Sequence, residues 1–223
     1  MVRFLGKACD DGIERLFIVG DLFDYWFDYR TVIPRDFVRT LGAIAALVDS
    51  GVPVDYVIGN HDFGHRDFFA SELGVTLHSD DLDVTLAGRR CCISHGDGKA
   101  FNDTGYAILK NVLSSPVSGF IFRLLHPDVG ISVAAYASRR SRSHTTSKRY
   151  GGERPGEADG LSAFAEKKIR EEGFELVVMG HSHQPRRVDL EGGTYVNLGS
   201  WLGPEKRFLA LDSTSIEVRT FDT

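Results

Sequence analysis

Asp21, Asn60, His95, His181 and His183 are residue types that hold divalent cations, and each lies just beyond a short apolar run. Leu16-Phe17-Ile18-Val19 leads to Gly20-Asp21, and Val54-Asp55-Tyr56-Val57-Ile58 to Gly59-Asn60-His61-Asp62. Cys91-Cys92-Ile93 leads to Ser94-His95-Gly96-Asp97, and Leu176-Val177-Val178-Met179 to Gly180-His181-Ser182-His183. A carboxylate that can bridge two ions, an amide oxygen and imidazole nitrogens form a mixed set. It suits Mn²⁺, Fe or Zn²⁺ better than Ca²⁺ or Mg²⁺, which prefer oxygen shells. Two such ions about 3.5–4 Å apart can hold a hydroxide, polarise phosphoryl oxygens and stabilise a leaving oxygen. His61, beside Asn60, can point at a substrate phosphate instead of the metal and donate a hydrogen bond or proton there. Asp62 and Asp97 are candidate acceptors that fix histidine orientation. His183 is expected on the same side as His181, because alternate residues of an extended segment share a side. Singly, a Gly-Asp or an Asn-His-Asp is an ordinary turn or loop. Four in order, each after an apolar run, point to a metal-dependent hydrolase.

Short apolar runs bounded by glycine read as buried strands, and in open α/β sheets function gathers at their carboxyl ends. Apolar spacing predicts a helix within residues 1–14 and another over 35–50 that stops at Gly51 and Pro53. A short helix is expected near 66–73. Alternating segments at Val75–His78 and Leu82–Leu86 then turn at Ala87-Gly88-Arg89 into the 90–94 strand as a hairpin. A mixed α/β sheet follows from this order. Residues 101–150 break the rhythm and predict three short helices, an insertion parted near Pro116 and Pro127. A helix at 157–172 returns the chain to a strand at 174–179. Segments 186–190, 194–198, 207–212 and 215–220 read as a closing antiparallel layer.

The 223 residues are 42% hydrophobic and 26% charged, enough for a full core in one domain with an insertion. A formal charge of −5 argues against a nucleic-acid coat protein, so no nucleic-acid partner is expected. Cys9, Cys91 and Cys92 form no CxxC and read as buried thiols of a reducing compartment. Without a signal-like start or a run of eighteen apolar residues, the expected location is cytoplasmic. Within the insertion, Arg139, Arg140, Arg142, Lys148 and Arg149 occupy a stretch with no acid between Asp128 and Glu153. Such a cluster attracts a diphosphate or an anionic membrane surface; an ordinary helical cap with a solvated basic face explains the composition equally well.

The ordered motif set resembles the calcineurin-like metallophosphoesterase superfamily over most of the chain. That resemblance implies a four-layer α/β/β/α sandwich with a dinuclear site, often of Mn²⁺. It makes Asp21 the bridging ligand, with Asn60, His95 and His181 completing one metal, His183 on the other, and His61 touching phosphate. Within the superfamily, Gly20-Asp21-Leu22-Phe23-Asp24-Tyr25-Trp26 is similar to the UDP-2,3-diacylglucosamine diphosphatase family of the lipid A pathway. So are Asp103-Thr104-Gly105-Tyr106 after His95-Gly96-Asp97, Val133-Ala134-Ala135, Arg140-Ser141-Arg142 and Ser147-Lys148. The family's reaction releases UMP and an acylated sugar phosphate from a nucleotide-linked glycolipid at the inner membrane surface. Asp103, Tyr106, Arg140, Ser141 and Lys148 would hold the polar head, and residues 101–150 would form a helical lid.

Two departures are visible. Family members commonly carry Arg where this chain has His61, which keeps open a metallophosphoesterase of broader range. The superfamily's opening strand, ending in Asp-x-His, is absent from the 223 residues. The expectation is a longer native protein with two metals; the alternative is a one-metal form or a non-catalytic binding protein.

Overall fold

The structure is a computed structural model, and it describes residues 1–62, 64–100, 116–136 and 156–222. The chain divides into two compact units. One contains Met1–His78 with the described insertion helices, and the other contains the described residues of Ser79–Asn102 and Glu153–Thr223.

In the first unit, α1 (Val2–Asp10) buries Leu5 and Ala8 on one stripe, and α2 (Val38–Asp49) buries Leu41, Ile44 and Leu47. This i, i+3 spacing gives each helix one apolar face. α2 is entered through a 3-10 turn at Arg35–Phe37 and ends before Gly51, whose φ of +93° reverses the chain into Pro53. Strands β1 (Leu16–Val19), β2 (Val54–Val57) and β3 (Thr76–His78) form a parallel sheet with β2 in the middle, every residue of β2 buried. β3 follows the short helix α3 (Phe68–Ser71) and runs parallel to β2. Val75–His78 therefore belongs to this sheet and is not an arm of the hairpin. The core holds Leu5, Phe23, Trp26, Leu41, Ile44, Val54, Tyr56 and Phe69. Insertion helices α4 (Pro116–Leu124) and α5 (127–136) belong to the same unit.

In the second unit, β4 (Leu82–Leu86) and β5 (Arg89–Ser94) form the expected hairpin. Its two loop residues, Ala87 and Gly88, have φ of +50° and +79°, as a two-residue primed turn requires. The sheet runs β4-β5-β6-β8-β7, with β6 (Leu176–Met179), β7 (Arg186–Leu190) and β8 (Gly193–Asn197). β5, β6 and β8 are mutually parallel and both edge strands are antiparallel, so the sheet is mixed, as expected. Helix α6 (Glu157–Glu172) presents Leu161, Ala165 and Ile169 to Cys92, Val177, Met179 and Tyr195. Cys91 and Cys92 are both buried, and burial pushes the Cys92 thiol up to about 11, which makes it a poor nucleophile.

One expectation is corrected. The last four strands do not make a single antiparallel layer, because β8 inserts parallel to β6. β9 (Lys206–Leu211) and β10 (Ile216–Phe221) pair only with each other. The cause is burial: four of the five β8 residues are buried, as a central strand demands, whereas β7 alternates like an edge. No described helix is long and apolar enough to cross a membrane.

Candidate metal centre

The first group of candidate ligands is built where β1 and β2 end. Asp21 leaves β1 with φ +50°, a left-handed conformation that costs a non-glycine residue about 1–3 kcal/mol. Its Oδ1 accepts the backbone N–H of His61 at 2.8 Å, which fixes the carboxylate's direction. That approach is open because position 59 has no side chain. A Cβ on Gly59 would collide with the Asp21 carboxylate and lie 2.5 Å from the Asp21 backbone nitrogen. Asn60 and His61 follow in the same loop, both half-buried.

Asp62 holds the two loops together. It is fully buried; its Oδ1 accepts the Gly59 N–H at 2.8 Å, and its Oδ2 accepts the Leu22 N–H at 3.0 Å and the Tyr56 hydroxyl. Burial, then the neighbouring Asp62, pushes the Tyr56 phenol well above its ordinary range, so the hydroxyl keeps its proton and donates. The bonds described for Asp62 thus run to backbone and tyrosine. They position Asp21 and Asn60 from behind.

The second group sits where β5 and β6 end. His95 is 3% exposed, and its ring lies 5.1 Å from that of His181 at 71°, with ligand nitrogens within 4.8 Å. Gly96 follows with φ +106° and packs against the Cβ of His181. Gly180 donates to the His95 carbonyl at 3.1 Å, and its own carbonyl accepts the Asn197 side-chain amide at 2.6 Å. The other face of that amide, Oδ1, accepts the Gly199 N–H at 3.0 Å, so buried Asn197 is satisfied on both sides. Asp97 is buried beside them.

The His-x-His geometry differs from expectation. His181 and His183 have φ of +64° and +59°, and Ser182 donates back to the Gly180 carbonyl at 2.8 Å. The segment is a tight left-handed turn, not an extended strand, so strand alternation does not align the two rings. Of the four described non-glycine residues with positive φ, Asp21, His181 and His183 are candidate ligands, and Ala87 belongs to the hairpin. Strain gathered on donor side chains is characteristic of sites whose geometry is imposed by a ligand. Carboxylate and imidazole donors so held fit a divalent metal.

Tyr56 and Asn197 escape a motif reading because neither is a ligand type standing in a motif. The only trace of Asn197 is a polar residue closing the apolar run Tyr195-Val196 before Leu198-Gly199. Asp103, Tyr106, Arg140, Ser141 and Lys148 lie outside the described residues.

No family model matches the sequence. The chain is 31% identical over 181 residues to the UDP-2,3-diacylglucosamine hydrolase of Porphyromonas gingivalis (strain ATCC BAA-308 / W83), an alignment covering 76% of this chain and 69% of that protein. It is 30% identical over 205 residues to the enzyme of that name from Escherichia coli O7:K1, covering 90% and 82%. The chain belongs to the UDP-2,3-diacylglucosamine hydrolase family. Its fold is shared with an archaeal phosphodiesterase at TM-score 0.50 and 14% identity, over 99% of this chain and 90% of that one. As a hydrolase-family member with an α/β metallophosphoesterase fold, the chain presents its ligand-type residues at strand ends, where such folds place their chemistry.

Proposed function

We propose that this chain hydrolyses the pyrophosphate bond of UDP-2,3-diacylglucosamine, releasing UMP and the acylated sugar 1-phosphate. The observation that carries the reading is the strained backbone at Asp21, His181 and His183, with the Asp21 carboxylate braced by the His61 N–H, in a member of this family. In the proposal Asp21, Asn60, His95, His181 and His183 are the metal ligands. The metal they would hold in this proposal is Mn²⁺, as two ions. A bound divalent metal supplies Lewis acidity toward phosphoryl oxygens and an acidified water.

The chain's own groups do the rest. His61, whose N–H braces Asp21, directs its imidazole at the phosphate and hydrogen-bonds an oxygen that gains charge. Asp62 keeps both loops in register during that change. Asp103, Tyr106, Arg140, Ser141 and Lys148 bind the polar head, and residues 101–150 serve as a lid. Exposed Phe120 and Leu124 on α4, and Val129 and Val133 on α5, are i, i+4 pairs that give each helix an apolar stripe suited to acyl chains. The same stripes, with the basic cluster at 139–149, favour work at the inner membrane surface from the cytoplasmic side.

The test is turnover of UDP-2,3-diacylglucosamine against bis(4-nitrophenyl) phosphate with Mn²⁺. The glycolipid is expected to be the better substrate by at least 10²-fold in kcat/KM. Equal rates on both would favour the broader-range phosphoesterase that His61 allows. Metal binding without turnover of either would leave only a binding protein.

A further inference from the structure

Residues 22–29, which follow Asp21, have two faces. Inward, Phe23 and Trp26 stack on each other, meet Phe37 at a tilt and meet Phe69 edge-on. Buried Asp28 accepts the Trp26 indole N–H and the backbone N–H groups of Arg66, at 2.7 Å, and Phe68. Phe27 forms a parallel bridge to Gly64, and the Asp28 backbone N–H donates to the Gly64 carbonyl at 3.0 Å. The strap is thereby sewn to the loop that carries Asn60 and His61. Outward, Phe27 packs on Phe122 of α4 with ring centres 4.5 Å apart, and Tyr29 lies 5.2 Å from Phe27 and 6.4 Å from Phe122.

At its outer end the Tyr29 hydroxyl is buried against Gly130 of α5 and has no hydrogen-bond partner among the described residues. A Cβ on Gly130 would collide with that hydroxyl, and would stand 3.1 Å from the ring carbon bearing it and 3.2 Å from the Phe122 ring. An unpaired buried hydroxyl costs stability, so shape is what keeps it in the slot. We infer that Tyr29 is a positioning residue. Its phenol keys into the notch at Gly130, seating the insertion helices on the strap that joins the Asp21 and Asn60 loops. Substrate held by the helices is thus registered against those ligands. The kinetic consequence rests on the function proposed above, but the seat itself does not.

The test uses the whole chain as wild type, Gly130→Ala, Tyr29→Phe and the double variant. Amide hydrogen exchange over residues 116–136 is read first. Gly130→Ala should speed exchange at least tenfold, although alanine is the better helix former. Tyr29→Phe alone should speed exchange by a smaller factor, because the ring stays and only the group that fills the notch is gone. Combined, the variants should recover most of the protection, because the colliding atom is gone. With Mn²⁺, Gly130→Ala should raise KM for UDP-2,3-diacylglucosamine about tenfold while kcat stays within twofold and bis(4-nitrophenyl) phosphate turnover is unchanged. Wild-type protection in Gly130→Ala, or no recovery in the double variant, overturns the seat. If wild type does not hydrolyse the glycolipid, the substrate reading fails while exchange still decides the seat.

Discussion

The absence of one side chain at position 59 decides how the Asp21 carboxylate is aimed. Gly59 has no positive φ, so alanine would fit its backbone and only the collision with Asp21 would be felt. Gly59→Ala should therefore lower kcat/KM by about 10²-fold, the usual consequence of misplacing a reacting group by an ångström. It should also lower the metal bound per chain, measured by atomic absorption after gel filtration. Wild-type activity and metal content in this variant would mean that the Asp21 aim is not what the site depends on. At this scale the candidate ligand types were readable in the sequence, because metals demand particular atoms. Their braces were not. Tyr56, Asn197 and the His61 backbone act through hydrogen bonds whose partners lie 6, 17 and 40 positions away.

Between strap, β2 and α3 lies a histidine that no motif announced. His65 is stacked on Trp26 at 5.6 Å and meets Tyr56 and Phe69 edge-on at 5.0 and 4.6 Å. Neither ring nitrogen has a partner among the described residues. Burial pushes its pKa down to about 3. The folded chain thus keeps His65 neutral while the unfolded chain protonates it below about pH 6.5. The unfolded state binds the extra proton, so stability rises with pH between about 3 and 6.5, by about 1.4 kcal/mol per unit. In excess chelator, urea unfolding should show about 2 kcal/mol less stability at pH 5 than at pH 7. His65→Phe should remove most of that difference, and an unchanged slope would refute the aromatic cage. Asp55 acts in a lower window. Burial raises its carboxyl, but bonds from Arg15 and His78 outweigh that and hold it below its usual range, so its contribution is lost only below about pH 4. Elements themselves were legible wherever periodicity ran long, as over Glu157–Glu172. Strand partners were less so. A short apolar run such as Tyr195-Val196 states that it is buried, but not whether β8 joins β6 or β9, because packing on both faces decides that.

At the scale of the whole molecule, the ligand candidates are spread from Asp21 to His183, and the unfolded chain offers no site that gathers them. A metal that binds only the folded chain must stabilise it, by about 2.7 kcal/mol at a hundred times its dissociation constant. For a chain of this size each kcal/mol moves Tm by about 2–4 °C, so saturating Mn²⁺ should raise Tm by about 5–10 °C over excess chelator. Mg²⁺ and Ca²⁺ should do less at the same concentration, because imidazole replaces oxygen in the donor set. His95→Ala and His181→Ala should each abolish most of the Mn²⁺ shift, read against each variant's own chelated Tm, because truncating buried His95 also lowers that baseline. His183→Ala carries a sharper consequence. Its left-handed φ is a strain that alanine shares, so the backbone cost stays while the imidazole goes. If His183 is a ligand, calorimetric titration with Mn²⁺ should lose affinity in that variant with the chelated Tm unchanged. A His183→Ala chain that binds Mn²⁺ like wild type would remove His183 from the ligand set and leave its φ of +59° without a functional reason.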